Sequence, residues 1–99
     1  MAVYVDPLFS YPASPKWRHG DSCHLFADTL GELHSFASSI GLKKQWFQNK
    51  SFPHYDLNIN KRIEALRQGA KELSFTQTIQ KIIAVRKNRK STVIYKKVE

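Results

Sequence analysis

Ninety-nine residues supply one hydrophobic core and leave no room for a second. With 41% apolar residues, a single cysteine and no apolar run of membrane-spanning length, the composition excludes a disordered chain, a disulfide scaffold, a four-thiolate zinc site and a transmembrane segment. Sixteen Lys and Arg against eight Asp and Glu give a net charge of +8, a surface that draws in polyanions and favours nucleic acid, nucleotides or an acidic protein face as partners.

Ala2 to Val5 is β-branched and aromatic, and Pro7 cannot extend a central ladder, so a short buried strand is expected with Asp6 at its carboxyl end. Residues 8–21 hold Pro12, Pro15 and Gly20 and read as a long loop carrying Trp17, Arg18 and His19; loops of this length in compact domains are often functional. Thr29 and Glu32 form a Thr-x-x-Glu capping box. Leu30, Leu33, Ala37 and Ile40 then repeat at helical spacing until Gly41 stops the run. Leu42 to Gln48, with Trp46 and Phe47, predicts a second strand, and residues 49–53 a polar, Pro-broken loop. A second helix is expected from Asn58 to Gln68, with Ile59, Ile63, Leu66 and Ala70 on one stripe and Gly69 as its stop. Glu72 to Phe75 predicts a third strand, Ser74 and Gln77 cap a third helix with Ile79, Ile82 and Ile83 facing inward, and Thr92 to Tyr95 predicts a last strand.

Alternation of this kind favours a small α/β domain of two or three layers, an open and mostly parallel sheet with about three helices. Residues 1–74 make the α/β core, and residues 75–99 add a basic helix and final strand to the same domain. Met1 leads straight into strand-like residues with no apolar signal core, so a cytoplasmic protein without a membrane partner is expected.

In open parallel sheets, ligands bind at the carboxyl edge, where helix amino ends point. That rule gathers Asp6, Asp28, His54, Tyr55, Asp56 and Ser74 on one rim. Free amides at the helix starts suit a phosphate, with Lys61 or Arg62 as its clamp. Taken singly, Asp28, Asp56 and Ser74 are ordinary caps, and only their convergence with histidines favours a ligand. His24 and His54 can act as general acid or base near neutral pH, with Tyr55 or Asp56 orienting a ring. His34, beside the core stripe, reads as a structural histidine. No residue set has a tight metal-ligand spacing, so no metal ligand is assigned; Asp6, Asp28 and Asp56 on one rim would suit Mg²⁺ or Mn²⁺. Cys23 and His24 point to opposite faces in an extended segment and form no dyad. Trp17 beside Arg18 suits base stacking, and the acid-free stretch with Arg86, Lys87, Arg89 and Lys90 suits a phosphate backbone.

The segments His24-Leu25-Phe26-Ala27-Asp28, Glu32-Leu33-His34-Ser35-Phe36-Ala37, Gly41-Leu42, Trp46-Phe47-Gln48, His54-Tyr55-Asp56, Lys61-Arg62 and Gly69-Ala70 resemble, in the same order, a small bacterial and phage family known as domain of unknown function 4031. The likeness runs from Val3 to about Leu73, with none from Phe75 onward. It implies a compact bacterial or phage domain and no particular reaction. Members often carry a second acid after the first strand's Asp, whereas Pro7 stands here, which weakens a two-acid metal site at Asp6.

The expected function is nucleotide or nucleic-acid binding, with processing of a phosphate-bearing ligand as an extension of it. His24, His54 and Asp56 would be the catalytic groups, and Trp17, Arg18, Asp28, Tyr55, Lys61 and Arg62 the ligand contacts. Two alternatives stay open: a phage or bacterial protein that binds an acidic host protein, and a metal-dependent nuclease.

Overall fold

The computed structural model describes the backbone of residues 2–10 and 20–98 and the side chains of residues 2–10 and 20–87. The proposed contacts Trp17 and Arg18 lie outside the described residues, as do the side chains of Arg89 and Lys90. In chain order the elements are β1 (Val3–Val5), β2 (Cys23–Ala27), α1 (Leu30–Ser39), a single 3-10 turn (Lys44–Trp46), β3 (Tyr55–Leu57), α2 (Ile59–Arg67), β4 (Lys71–Glu72) and α3 (Phe75–Val98).

The strands form a four-stranded sheet in the order β3-β2-β1-β4. The α/β class holds, but the sheet is mixed rather than mostly parallel: β1 pairs with β4 in parallel, while β1–β2 and β2–β3 are antiparallel. A parallel neighbour needs a crossover, usually a helix. No helix is described between β1 and β2, and the chain returns beside β1 in the opposite direction. β3 and β4 consequently point the same way from the two edges, and α2 is the crossover between them.

Three further expectations change, the first being that the strand expected at Glu72–Phe75 lies instead at Lys71–Glu72, with Phe75 already the first residue of α3. Leu42–Gln48 is not a strand: Lys44–Trp46 closes a 3-10 turn, Trp46 stays half exposed, and only Gln48 bridges, to His54. Thr92–Tyr95 lies inside α3, since the chain has no Gly or Pro after Gly69 to stop a helix.

Strand alternation sorts the core into two halves. Val5, Cys23, Leu25, Ala27, Tyr55 and Leu57 face Leu33, Ala37 and Ile40 at the α1 end and Ala65 of α2 in one buried cluster. Tyr4 and Phe26 face the other way, against Phe52 and Ile82 of α3. Helices thus cover both faces. Thr29, Asn58 and Ser74 cap the three helices, so of the caps expected at Asp28, Asp56 and Ser74 only Ser74 acts as one. Glu32 N donates to Thr29 Oγ1, Lys61 N to Asn58 Oδ1, and Ser74 with Gln77 forms a reciprocal box. The Glu32 carboxylate instead accepts from the Ala2 amide, tying α1 to β1. Gly41, at φ +83°, turns the chain after α1 and leaves space for Lys61 Nζ, which donates to the Ile40 carbonyl. Among the described residues no helix is long and apolar enough to cross a membrane.

Candidate metal centre

The register places Asp6, His24 and Asp56 in one transverse row. β1 and β2 pair Val5 with Leu25, and the Asp6 amide donates to the His24 carbonyl one step further on; β2 and β3 pair His24 directly with Asp56. All three side chains therefore emerge on the α3 face of the sheet, as does His54, two residues before Asp56. His24 and Asp56 are 31% and 29% exposed and His54 9%, so the cluster opens to solvent over a buried floor.

Each of three residues has one polar atom pinned and one left facing its neighbours. Asp6, itself buried, accepts from the His24 amide through Oδ1 and meets His24 Nδ1 through Oδ2, both at 2.6 Å. His54 Nδ1 lies 2.7 Å from the Phe52 carbonyl, and Asp56 Oδ2 accepts from Gln48 Nε2. Asp56 Oδ1 is left 3.9 Å from His24 Nε2 and 3.5 Å from His54 Nε2. One ligand atom from each of His24, His54 and Asp56 lies within 4.8 Å of the others, close enough that the three could hold a metal ion. Phe52 stacks on His54 at 4.6 Å and meets His24 edge-on at 5.5 Å, which fixes both rings from the apolar side.

The two imidazoles are pushed apart electrostatically. Burial alone would lower His24, but the hydrogen bond and charge of Asp6, aided by Asp56, outweigh it and raise the ring above the ordinary imidazole value. Burial lowers His54; the Phe52 carbonyl opposes it and the charge of His24 adds to it. Cys23, on the opposite face, is pushed up to about 12, chiefly by burial, which disfavours its thiolate.

The other candidates sit elsewhere. Asp28 lies at the far end of β2, bound to Tyr4 Oη at 3.0 and 3.1 Å and 3.4 Å from Lys81 Nζ. A rim shared by Asp6, Asp28 and Asp56 is therefore ruled out, because antiparallel pairing of β1 with β2 sends the residues after them to opposite ends. The Tyr55 ring is buried on the other face with its hydroxyl 2.8 Å from His34 Nδ1, which makes His34 the satisfied structural histidine its position suggests. Lys61 is spent on the end of α1. Arg62 reaches the Asp6 carbonyl at 3.1 Å and Glu72 at 2.6 Å, so it steadies the strand end that carries Asp6. Arg86 and Lys87 are exposed on α3, and Arg86 Nε donates to the Ser51 carbonyl at 2.8 Å, beside the loop that leads to His54.

Sequence reasoning singled out His24, His54 and Asp56, which the fold brings together, but missed the groups that hold them: Asp6 as the acceptor for His24, Gln48 and the Phe52 carbonyl. The signal for Asp6 was strand alternation combined with register, and register is not written in either strand alone.

The model of the family described as "Protein of unknown function (DUF4031)" matches residues 3–85. The chain belongs to the DUF4031 family. The match to DUF4031 extends beyond Leu73 into α3 and ends at Val85, a residue buried in the fold, so the first half of α3 is part of the family domain. The DUF4031 match includes every member of the candidate centre. No curated protein and no solved structure matches the chain.

Proposed function

We propose that the protein is a metal-dependent hydrolase of phosphate esters in nucleic acid or nucleotides, with His24 Nε2, His54 Nε2 and Asp56 Oδ1 as the metal ligands. The observation that carries this reading is the convergence of those three atoms while the second polar atom of each residue is held elsewhere. Three protein ligands on a solvent-facing site leave coordination positions free, as catalytic centres do and closed structural centres do not. A bound divalent ion would polarise a phosphoryl oxygen and acidify water.

Phosphate is favoured as the substrate chemistry by the net charge of +8 and by the acid-free stretch of α3, whose Arg86 touches the loop beside His54. Hydrolysis consumes one water. Its oxygen bonds to phosphorus, the bond from phosphorus to the leaving oxygen breaks, one proton ends on that oxygen and the other is shed to solvent. Cleavage of a phosphodiester or nucleotide by the metal-loaded protein, abolished by chelator and by Asp56→Asn, is the expected result; intact substrate with every divalent ion tried would refute it.

The opposite shifts of His24 and His54 support a second reading, in which a protonated His24 and a neutral His54 serve as acid and base without metal. Cleavage that persists in chelator and vanishes in His54→Gln distinguishes it.

A further inference from the structure

Resting on the reading of the cluster as a metal centre, we infer that it holds a single nitrogen-preferring divalent ion of the first transition row, Zn²⁺ foremost, and that Asp6 is the positioning residue that aims His24 at the ion. The donor set decides the class of ion. Two imidazole nitrogens and one carboxylate oxygen face the centre, whereas Mg²⁺ and Ca²⁺ take oxygen ligands and imidazole suits zinc, iron, nickel and copper. A tetrahedral ion with bonds of about 2.0–2.2 Å spaces its ligands about 3.4 Å apart. The observed 3.5 and 3.9 Å legs and the 4.8 Å limit require an inward movement of the half-buried His24 ring and the buried His54 ring.

Two-ion sites keep their metals about 3.5–4 Å apart, and that closeness calls for carboxylates to bridge them or neutralise the second charge. Among the described residues Asp56 is the only acid of the cluster, and its second oxygen is engaged by Gln48. Asp6, the next acid, has both oxygens on His24. Neither is left for a second ion.

Asp6 also does what a carboxylate behind a metal-bound histidine does. Its Oδ2 accepts from Nδ1, which puts the ring hydrogen on that nitrogen and leaves the Nε2 lone pair facing His54 and Asp56. Its Oδ1 holds the His24 amide, so ring and backbone are set by one side chain.

The test uses the full chain, stripped with chelator and then titrated with Zn²⁺, Co²⁺ or Mg²⁺ by calorimetry and, for Co²⁺, by visible absorption. One equivalent of Zn²⁺ or Co²⁺ is expected, with Mg²⁺ at least about 1,000-fold weaker on the donor preference. Asp6→Asn should weaken Zn²⁺ binding by about 10–100-fold and alter the Co²⁺ spectrum, while Asp28→Asn, at the other end of β2, changes neither. Nitrogen-15 NMR of the zinc-loaded wild type should show His24 protonated at Nδ1, a readout that stands even where Asp6→Asn fails to fold. Two equivalents of ion, Mg²⁺ equal to Zn²⁺, the opposite tautomer, or an unchanged affinity in folded Asp6→Asn would each overturn the inference. Tight single-site Zn²⁺ binding without phosphoester cleavage would sink the hydrolase and leave the inference standing; cleavage driven by Mg²⁺ alone would do the reverse.

Discussion

The two faces of the sheet are made from the same strands and do opposite work. Odd-numbered residues of β1, β2 and β3 enter an apolar layer sealed by α1 and α2, where the polar tips of Tyr55 and His34 satisfy each other. Even-numbered residues begin the same way, with Tyr4 and Phe26 packed on Phe52 beneath α3, but toward Asp6, His24 and Asp56 the apolar cover stops and titratable groups take over. A sheet one residue thick therefore separates a face of apolar packing from one that gives up part of its burial to a titratable cluster. Apolar packing and titratable groups are partitioned by side-chain parity.

The largest way to break this contrast is on the dry side. Leu25→Ala removes a fully buried side chain between α1 and the sheet and should cost about 2–5 kcal/mol, read by urea unfolding. Arg62→Met should come next. It strips the Asp6 carbonyl and Glu72 of their shared donor, for about 1–3 kcal/mol, and should weaken metal binding as well if Asp6 positions His24. On the wet side, Asp56→Asn should change stability by less than about 1 kcal/mol while metal affinity falls by more than about 100-fold, as expected for a first ligand if its outer partners account for 10–100-fold. A loss of fold comparable to that of Leu25→Ala would erase the distinction between the faces.

The metal-free protein sharpens it through pH. His24 has a raised folded value, so its contribution is fully present below the unfolded imidazole value of about 6.5 and is lost as pH rises through the folded one. His54 has a lowered folded value, so its contribution is present above about 6.5 and is lost as pH falls through the folded one. The terms oppose each other. His54→Gln should leave a domain that loses stability on going from pH 6 to 8, and His24→Gln one that loses it from pH 7 to 5; melting curves with the same slope in both variants would contradict the assigned shifts. The smallest effect belongs to Cys23, which should resist a thiol reagent at pH 8 in the folded chain and react once urea exposes it.

Much of this was legible residue by residue. The three helices announced themselves by local signals, a capping box and Gly41 for α1, an apolar stripe and Gly69 for α2, and the Ser74–Gln77 box for α3, and His24, His54 and Asp56 stood out as titratable groups in segments without a helical stripe. What failed was pairing. β2, Cys-His-Leu-Phe-Ala, is apolar on both faces for most of its length and shows no clean alternation, and β3 is too short at three residues to show a period. With both unrecognised, the polar residues were sorted by a rule for parallel sheets, which put Asp28 beside Asp56 and left Asp6 without its partner. Trp46 and Phe47 suggested a strand, whereas Phe47 only needs to reach the His34 and Tyr55 rings from the end of a 3-10 turn.

Because Asp6 follows β1 directly while His24 and Asp56 lie on β2 and β3, and the three meet only in one alignment, their assembly doubles as a checksum on folding. If β3 slid by a single residue against β2, Asp56 would swing to the dry side and an apolar neighbour would take its place. A misaligned chain thereby loses the cluster, and metal binding at the proposed centre would report that the strands have locked in the right order.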